Sequence, residues 1–189
     1  MNAIHRDFPH RFESERLIIR CPQPGDGPAM AAAVAASLEE LRLWMPWAMD
    51  EPSAGASESY ARRGYARFIT REDLPLVVLH KASGAIIGGS GLHRIDWEVP
   101  RFEIGYWLHT GYTGQGYMTE AVTAITHFAI HTLGARRVEI RCDARNERSV
   151  AVARRAGFTL EATLRQEQRH HLTGELRDTL IFARTLPDV

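Results

Sequence analysis

An α+β fold, with one mostly antiparallel, twisted sheet of about seven strands flanked by helices, is predicted by three features of the chain. Apolar runs of strand length recur between turn signals; hairpin-like pairs stand on either side of the middle; and in the middle a strand, a glycine-rich loop, a helix and a further strand follow one another. Hairpins pair antiparallel, whereas a strand–helix–strand crossover is parallel and right-handed. With 189 residues, 44% apolar and 24% charged, the chain reads as one globular domain spanning 1–189.

Residues 1–13 read as a loose lead-in, and Arg16–Arg20 as a first strand stopped by Pro22 and Pro24. Asp26 is a candidate N-cap for a helix whose apolar positions include Met30, Val34, Leu38 and Leu41. Trp44-Met45-Pro46-Trp47 follows as a loop. The segment 50–59 is rich in Pro, Ser, Ala and Gly, so the second helical pattern is read from Tyr60 through Gly64, Phe68 and Ile69, with Tyr60 and Phe68 as core. Leu76–Leu79 and Ile86–Gly89 flank Lys81-Ala82-Ser83-Gly84, a hairpin-turn composition. Arg101–His109 is a strand, Gly111–Gly116 a tight loop, and Thr119–Leu133 a helix that Gly134 stops. Val138–Cys142 is a strand, Glu147–Ala156 a short helix closed by Gly157, and Phe158–Leu164 and Leu176–Ala183 are the last two strands.

Composition excludes several classes. Formal net charge is zero and no basic block stands out, which argues against nucleic acid as a direct partner. Lys81 is the single lysine, so lysine is removed from almost every catalytic role. Cys21 and Cys142 are far apart without CxxC spacing, which suggests neither a zinc site nor a disulfide and fits a reducing compartment. Met1 to Arg20 lacks an apolar run, so neither a signal peptide nor a membrane span is expected, and the chain reads as cytoplasmic.

Gly114-Gln115-Gly116-Tyr117-Met118-Thr119 leaves a strand and opens a helix. Free N–H groups and the positive end of the helix dipole then face one spot, which suits an anion. A P-loop requires a lysine that this segment lacks, and a Rossmann loop requires a third glycine where Thr119 stands. A plain strand-to-helix turn remains the other reading of an isolated glycine pair.

The loop from Gly111 to Ala121 resembles the acetyl-CoA-binding motif of the GNAT acyltransferase superfamily, Q/R-x-x-G-x-G/A followed by a helix. Gly111 departs from it, standing where the family often has Gln or Arg. Four further stretches resemble the branch that contains the ribosomal-protein N-terminal acetyltransferases: Glu15–Arg20, Leu41–Trp47, Glu103–Leu108, and Asn146–Ser149 leading to Gly157-Phe158. The resemblance covers most of the chain. It implies the GNAT fold with a V-shaped opening between two central strands, acetyl-CoA as cofactor, and an amine as acceptor.

It also implies roles for particular residues. The pyrophosphate and pantetheine would lie against Leu108, His109, Gly111, Gly114, Gln115, Gly116, Tyr117, Met118, Thr119, Asn146 and Ser149. Main-chain N–H groups near Leu108 and His109 would stabilise the oxyanion. Glu103, sharing a strand face with Gly105 and Trp107, would act as base or position a water. Ser149 would protonate the departing thiolate, and Trp44, Trp47 and His93 would line the acceptor groove. Each has a plainer reading beside it: Glu103 as a solvated carboxylate or an ion pair with Arg101, Asn146 as an N-cap, the tryptophans as loop anchors, His93 as a structural histidine. His127 and His131 are spaced i, i+4, but no third ligand is evident and no metal is expected. His170-His171 reads as part of a solvated hairpin turn.

The leading expectation is therefore acetyl transfer to the N-terminal α-amine of a protein or peptide, by direct attack in a ternary complex. An α-amine of pKa about 8 needs less help from a base than a lysine amine near 10.4. A small-molecule N-acetyltransferase and a non-catalytic acyl-CoA sensor are the alternatives, and a homodimer is compatible with either.

Overall fold

The glycine loop sits where the sheet divides. In the computed structural model, which describes residues 3–186, β1 (Arg11–Glu13), β2 (Leu17–Arg20), β3 (Leu74–His80), β4 (Ile86–Asp96) and β5 (Arg101–Leu108) follow one another as antiparallel neighbours. β6 (Arg137–Asp143) then lies parallel to β5, and β8 (Leu176–Thr185) and β7 (Thr159–Arg169) complete the sheet in that order. The sheet thus has eight strands, and β5–β6 is the one parallel pair among them.

That pair separates early. β5 and β6 are in register only over Arg101–Glu103 against Arg137–Glu139. Beyond, Gly105–Leu108 stay with β4 while Ile140–Asp143 stay with β8, which opens a V at the carboxyl ends of the two strands. The crossover between them is α4 (Tyr117–His131), whose Ala121, Val122, Ile125, Phe128 and Ala129 are buried against Leu17, Ile19, Leu92, Phe102, Ile104 and Val138. Burial of such side chains contributes about 1.5–3 kcal/mol each. α5 (Glu147–Arg155) packs beside it, burying Ala153 in the same core. The opposite face carries α1 (Gly27–Ala35), α2 (Leu38–Trp44) and α3 (Ala54–Thr70), through Met30 and Ala61 against Val77 and Ile86, and through Val34, Leu38 and Leu41 against Trp107.

Several local expectations are corrected. Within the stretch read as a loose lead-in, of which residues 1–2 lie outside the described residues, Arg11–Glu13 pairs with β2, and Phe12 stacks on Phe128 with ring centroids 4.4 Å apart. The helix expected from Asp26 through Leu41 is two helices, because the buried Ser37 turns its hydroxyl to accept the Thr110 N–H at 2.9 Å. Asp26 does not cap α1; its carboxylate accepts both Arg20 guanidinium nitrogens at 2.7 Å. α3 begins at Ala54, six residues before Tyr60 and within the segment read as loop, because Ser53 caps it by accepting the Ala56 N–H at 3.1 Å. Tyr60 is exposed, whereas Phe68 is buried as expected.

Candidate active site

Two grooves bear on the site, one at the start of α4 and one at the V. One runs over the start of α4 and is lined by Ser14, Gly114, Gly116, Thr119, Glu120, Thr123, His127 and Arg155. Gly116 takes φ +81° at the N-cap of α4, where no side chain caps the helix. The N–H groups of Tyr117, Met118 and Thr119 therefore have no intrahelical acceptor, and the helix dipole places partial positive charge there. The Tyr117 and Met118 side chains are buried, so these residues offer their backbone alone. Arg16 adds a formal charge: its guanidinium donates to the Gln115 carbonyl at 3.0 Å and lies 4.3 Å from the Tyr117 ring centroid. Glu120 holds Arg16 there, accepting its side-chain Nε at 2.7 Å and its main-chain N–H at 2.8 Å, with the Ser14 hydroxyl at 2.7 Å. This cradle of uncapped donors and a cation fits a pyrophosphate.

The residues just before it are spent elsewhere. The Gly111 N–H donates to His109 Nδ1 at 2.9 Å, and the His109 N–H donates to the Ile87 carbonyl at 2.7 Å. Both N–H groups thus have partners within the protein, where the expectation turns them to the cofactor or the oxyanion. Because successive N–H groups along a strand point to opposite edges, Leu108 and Tyr106 aim theirs away from β4 and into the V.

The second groove, of about 830 Å³, opens on the α1–α3 side and is lined by Trp44, Trp47, Tyr60, His93, Gly105, Trp107, Asn146 and Ser149, among others. Trp47 is 54% exposed and meets Trp107 edge to face, with centroids 6.2 Å apart. Asn146 uses its side-chain oxygen to accept the Ser149 N–H at 3.0 Å, as an N-cap does. The Ser149 hydroxyl lies 2.8 Å from the Tyr106 hydroxyl, and the phenol also reaches the Ser149 carbonyl at 3.1 Å. Burial pushes the Tyr106 phenol well above its ordinary range, against the smaller opposite pull of Ser149, so it stays a proton donor. Glu103 lies outside the walls of both grooves; its carboxylate is 3.5 Å from Arg94, and burial raises its pKa against the pull of Arg94 and Arg141.

A strand that leads through an uncapped, glycine-turned helix start into a sheet split at its one parallel pair is a distinctive arrangement, and the acetyltransferase (GNAT) domain family matches residues 16–159 of this chain. The chain belongs to the GNAT acetyltransferase family. It is thereby an acyltransferase, and the V between β5 and β6 is the V expected of the GNAT fold. The ribosomal-protein-serine acetyltransferase of Escherichia coli is 30% identical over 158 residues, covering 77% of this chain and 81% of the relative. RimL, a ribosomal L7/L12 α-N-protein acetyltransferase solved with coenzyme A, superposes with a TM-score of 0.82 at 26% identity, over 92% of this chain and 96% of RimL. The Salmonella typhimurium acetyltransferase that modifies the N-terminal serine of ribosomal protein L7/L12 gives 0.78 at 25%, over 92% and 96%.

Within this GNAT frame, three contributors escape a reading by sequence, Arg16, Glu120 and Tyr106. Arg16 and Glu120 lie 104 positions apart, and Tyr106 and Ser149 are 43 apart. Only the pairing of β2 beside α4 and of β5 beside α5 brings them together. Among the described residues, no helix is long and apolar enough to cross a membrane.

Proposed function

We propose that this enzyme transfers the acetyl group of acetyl-CoA to the N-terminal α-amine of a protein or peptide. The observation that carries the donor is the run of uncapped N–H groups at Tyr117–Thr119 with Arg16 beneath it, a site for the pyrophosphate of the cofactor. When bound, the cofactor supplies an activated acetyl thioester, whose carbonyl oxygen gains negative charge as the amine attacks. The Leu108 N–H, aimed into the V, is placed to stabilise that charge without reorganisation. Ser149, backed by the Tyr106 phenol, is placed to return a proton to sulfur. Such a donor has a modest task, because a thiol of pKa about 8.5 leaves readily at neutral pH.

The acceptor enters from the α1–α3 side. Trp44, Trp47 and Trp107 offer apolar walls to a peptide, and the groove is open enough to admit a chain end. The similarity to ribosomal-protein acetyltransferases supports a protein α-amine over a polyamine or an aminoglycoside. Thiol release from acetyl-CoA, measured against serine- and alanine-initiated peptides, polyamines and aminoglycosides, tests the reading. Turnover on peptides at least tenfold above the small amines is expected. Preference for a small amine would overturn the acceptor, and acetyl-CoA binding without turnover on any amine would favour a sensor.

A further inference from the structure

In the acceptor groove His93 is paired with an aspartate, Asp73, and neither that pairing nor a proton-transfer role for His93 is among the expectations above. His93 Nδ1 lies 2.7 Å from Asp73 Oδ1. An ionised carboxylate only accepts, so Nδ1 carries the proton of this bond, and in the neutral imidazole the lone pair is left on Nε2. The ring is seated by two glycines. A Cβ at Gly91 would fall 2.4 Å from His93 Cε1 and Nε2, and one at Gly105 would fall 3.4 Å from Cδ2. Any side chain at Gly91 would evict the ring from this position. His93, Asp73, Gly105, Tyr106 and Ser149 all line the same groove, and the His93 side chain is 34% exposed. No protein group among the described residues is hydrogen-bonded to Nε2.

We infer that His93 is the general base of the acetyl transfer and that Asp73 is its positioning residue. The inference rests on transfer to an amine, not on which amine. At neutral pH an α-amine of pKa about 8 is mostly ammonium, so one proton must leave before nitrogen can attack. His93 Nε2 takes that proton and later releases it to solvent. The nitrogen lone pair forms the C–N bond, the C–S bond breaks with its electron pair on sulfur, and sulfur acquires the second nitrogen proton through Ser149. Asp73 fixes the tautomer and stabilises the imidazolium while it lasts. Around the ring stand Asp73 just before β3 and Glu103 directly opposite on β5 with its partner Arg94, and the same groove is lined by Tyr60 from α3 and Arg141 from β6. Glu103 thus stands on the strand beside the base rather than in its place.

The test uses the full chain and whichever amine the wild type turns over fastest. His93→Gln should lower kcat about 10- to 100-fold and erase the acid limb of the pH–rate profile, with acetyl-CoA affinity within about twofold. Asp73→Asn should lower kcat by a smaller factor. In the free protein, ¹⁵N NMR of the neutral ring should report a proton on Nδ1 in the wild type, and a shift towards the other tautomer in Asp73→Asn. Wild-type kcat in His93→Gln, or a wild-type ring protonated on Nε2, overturns the inference. A wild type that acetylates no amine at all sinks the functional reading first, and that failure is visible before any variant is made.

Discussion

The two sides of the V are made of different parts of the polypeptide. On the α4 side, consecutive residues from Gly114 to Thr119 present main-chain N–H groups, and one half-buried clamp, Arg16 to Glu120, holds the loop through the Gln115 carbonyl. On the α1–α3 side, the walls are side chains from α1, α2, α3, β3, β4, β5, β6, α5 and β8 and the segments between them, each delivered by its own element. A site of backbone donors is insensitive to most substitutions and acutely sensitive to those that change φ. A site of side chains has the opposite profile, since each wall residue brings its own chemistry and an exchange removes it.

The largest effect should come from changing φ. Gly116→Val places a β-branched residue at φ +81°, a conformation that costs about 1–2 kcal/mol for an L residue, and sets its methyl groups over the N–H cradle. Acetyl-CoA affinity by isothermal titration should fall at least about 100-fold while the fold is retained. Unchanged affinity would place the pyrophosphate elsewhere and remove the contrast between the two sides.

That contrast also governs what can be read from sequence. The glycine loop was legible because its chemistry is local: two glycines, a helix start and no lysine lie within a few residues. The V was implied by family resemblance and is realised where β5 and β6 part after Glu103 and Glu139. The break between α1 and α2 was hidden, because Ser37 leaves the helix to bond Thr110, 73 positions away. The lead-in was misread for a like reason, since Phe8 and Phe12 gain their partners Phe68 and Phe128 only in the folded chain. Glu103 fitted the strand alternation, yet alternation says which face a residue takes and not whether a cavity reaches it. The partners of the His109 and Gly111 N–H groups, the Ile87 carbonyl and the His109 ring, are likewise visible only in the folded chain.

A second effect separates the clamp from the cradle. Burial alone would raise the pKa of Glu120, but the Arg16 main-chain N–H, the Ser14 hydroxyl and the Arg16 guanidinium outweigh it and hold the carboxyl below its ordinary range. A depressed folded-state pKa stabilises the fold above the unfolded value, near 4.3, and that contribution is lost as pH falls through the folded value. Glu120→Gln should cost about 1.5–3 kcal/mol at pH 7, with a Tm lower by several degrees. The gap from wild type should narrow in acid, below about pH 4. A gap of equal size at both ends would assign the effect to packing rather than charge.

On the acceptor side, Trp47→Ala removes an exposed wall that touches Trp107 but little of the core. The KM for a peptide acceptor should rise roughly three- to tenfold, with the Kd for acetyl-CoA unchanged. A change in acetyl-CoA affinity instead would show that the two grooves do not divide the substrates as proposed.

The smallest effect is the most discriminating. Gln115 lies in the middle of the cradle, yet its carbonyl serves Arg16 and its side-chain amide donates to the Gly111 carbonyl at 3.1 Å on an exposed surface. If the cofactor is held by main-chain N–H groups, Gln115→Ala removes nothing that the pyrophosphate touches, because alanine keeps the same N–H and the same carbonyl. Acetyl-CoA Kd should stay within about twofold of wild type, since an exposed neutral hydrogen bond contributes only about 0.5–1.5 kcal/mol and here supports the loop rather than the ligand. A tenfold loss would mean that the Gln115 amide turns from Gly111 to the phosphates on binding. The α4 side would then be a side-chain site as well, and its tolerance of substitution would match that of the acceptor groove.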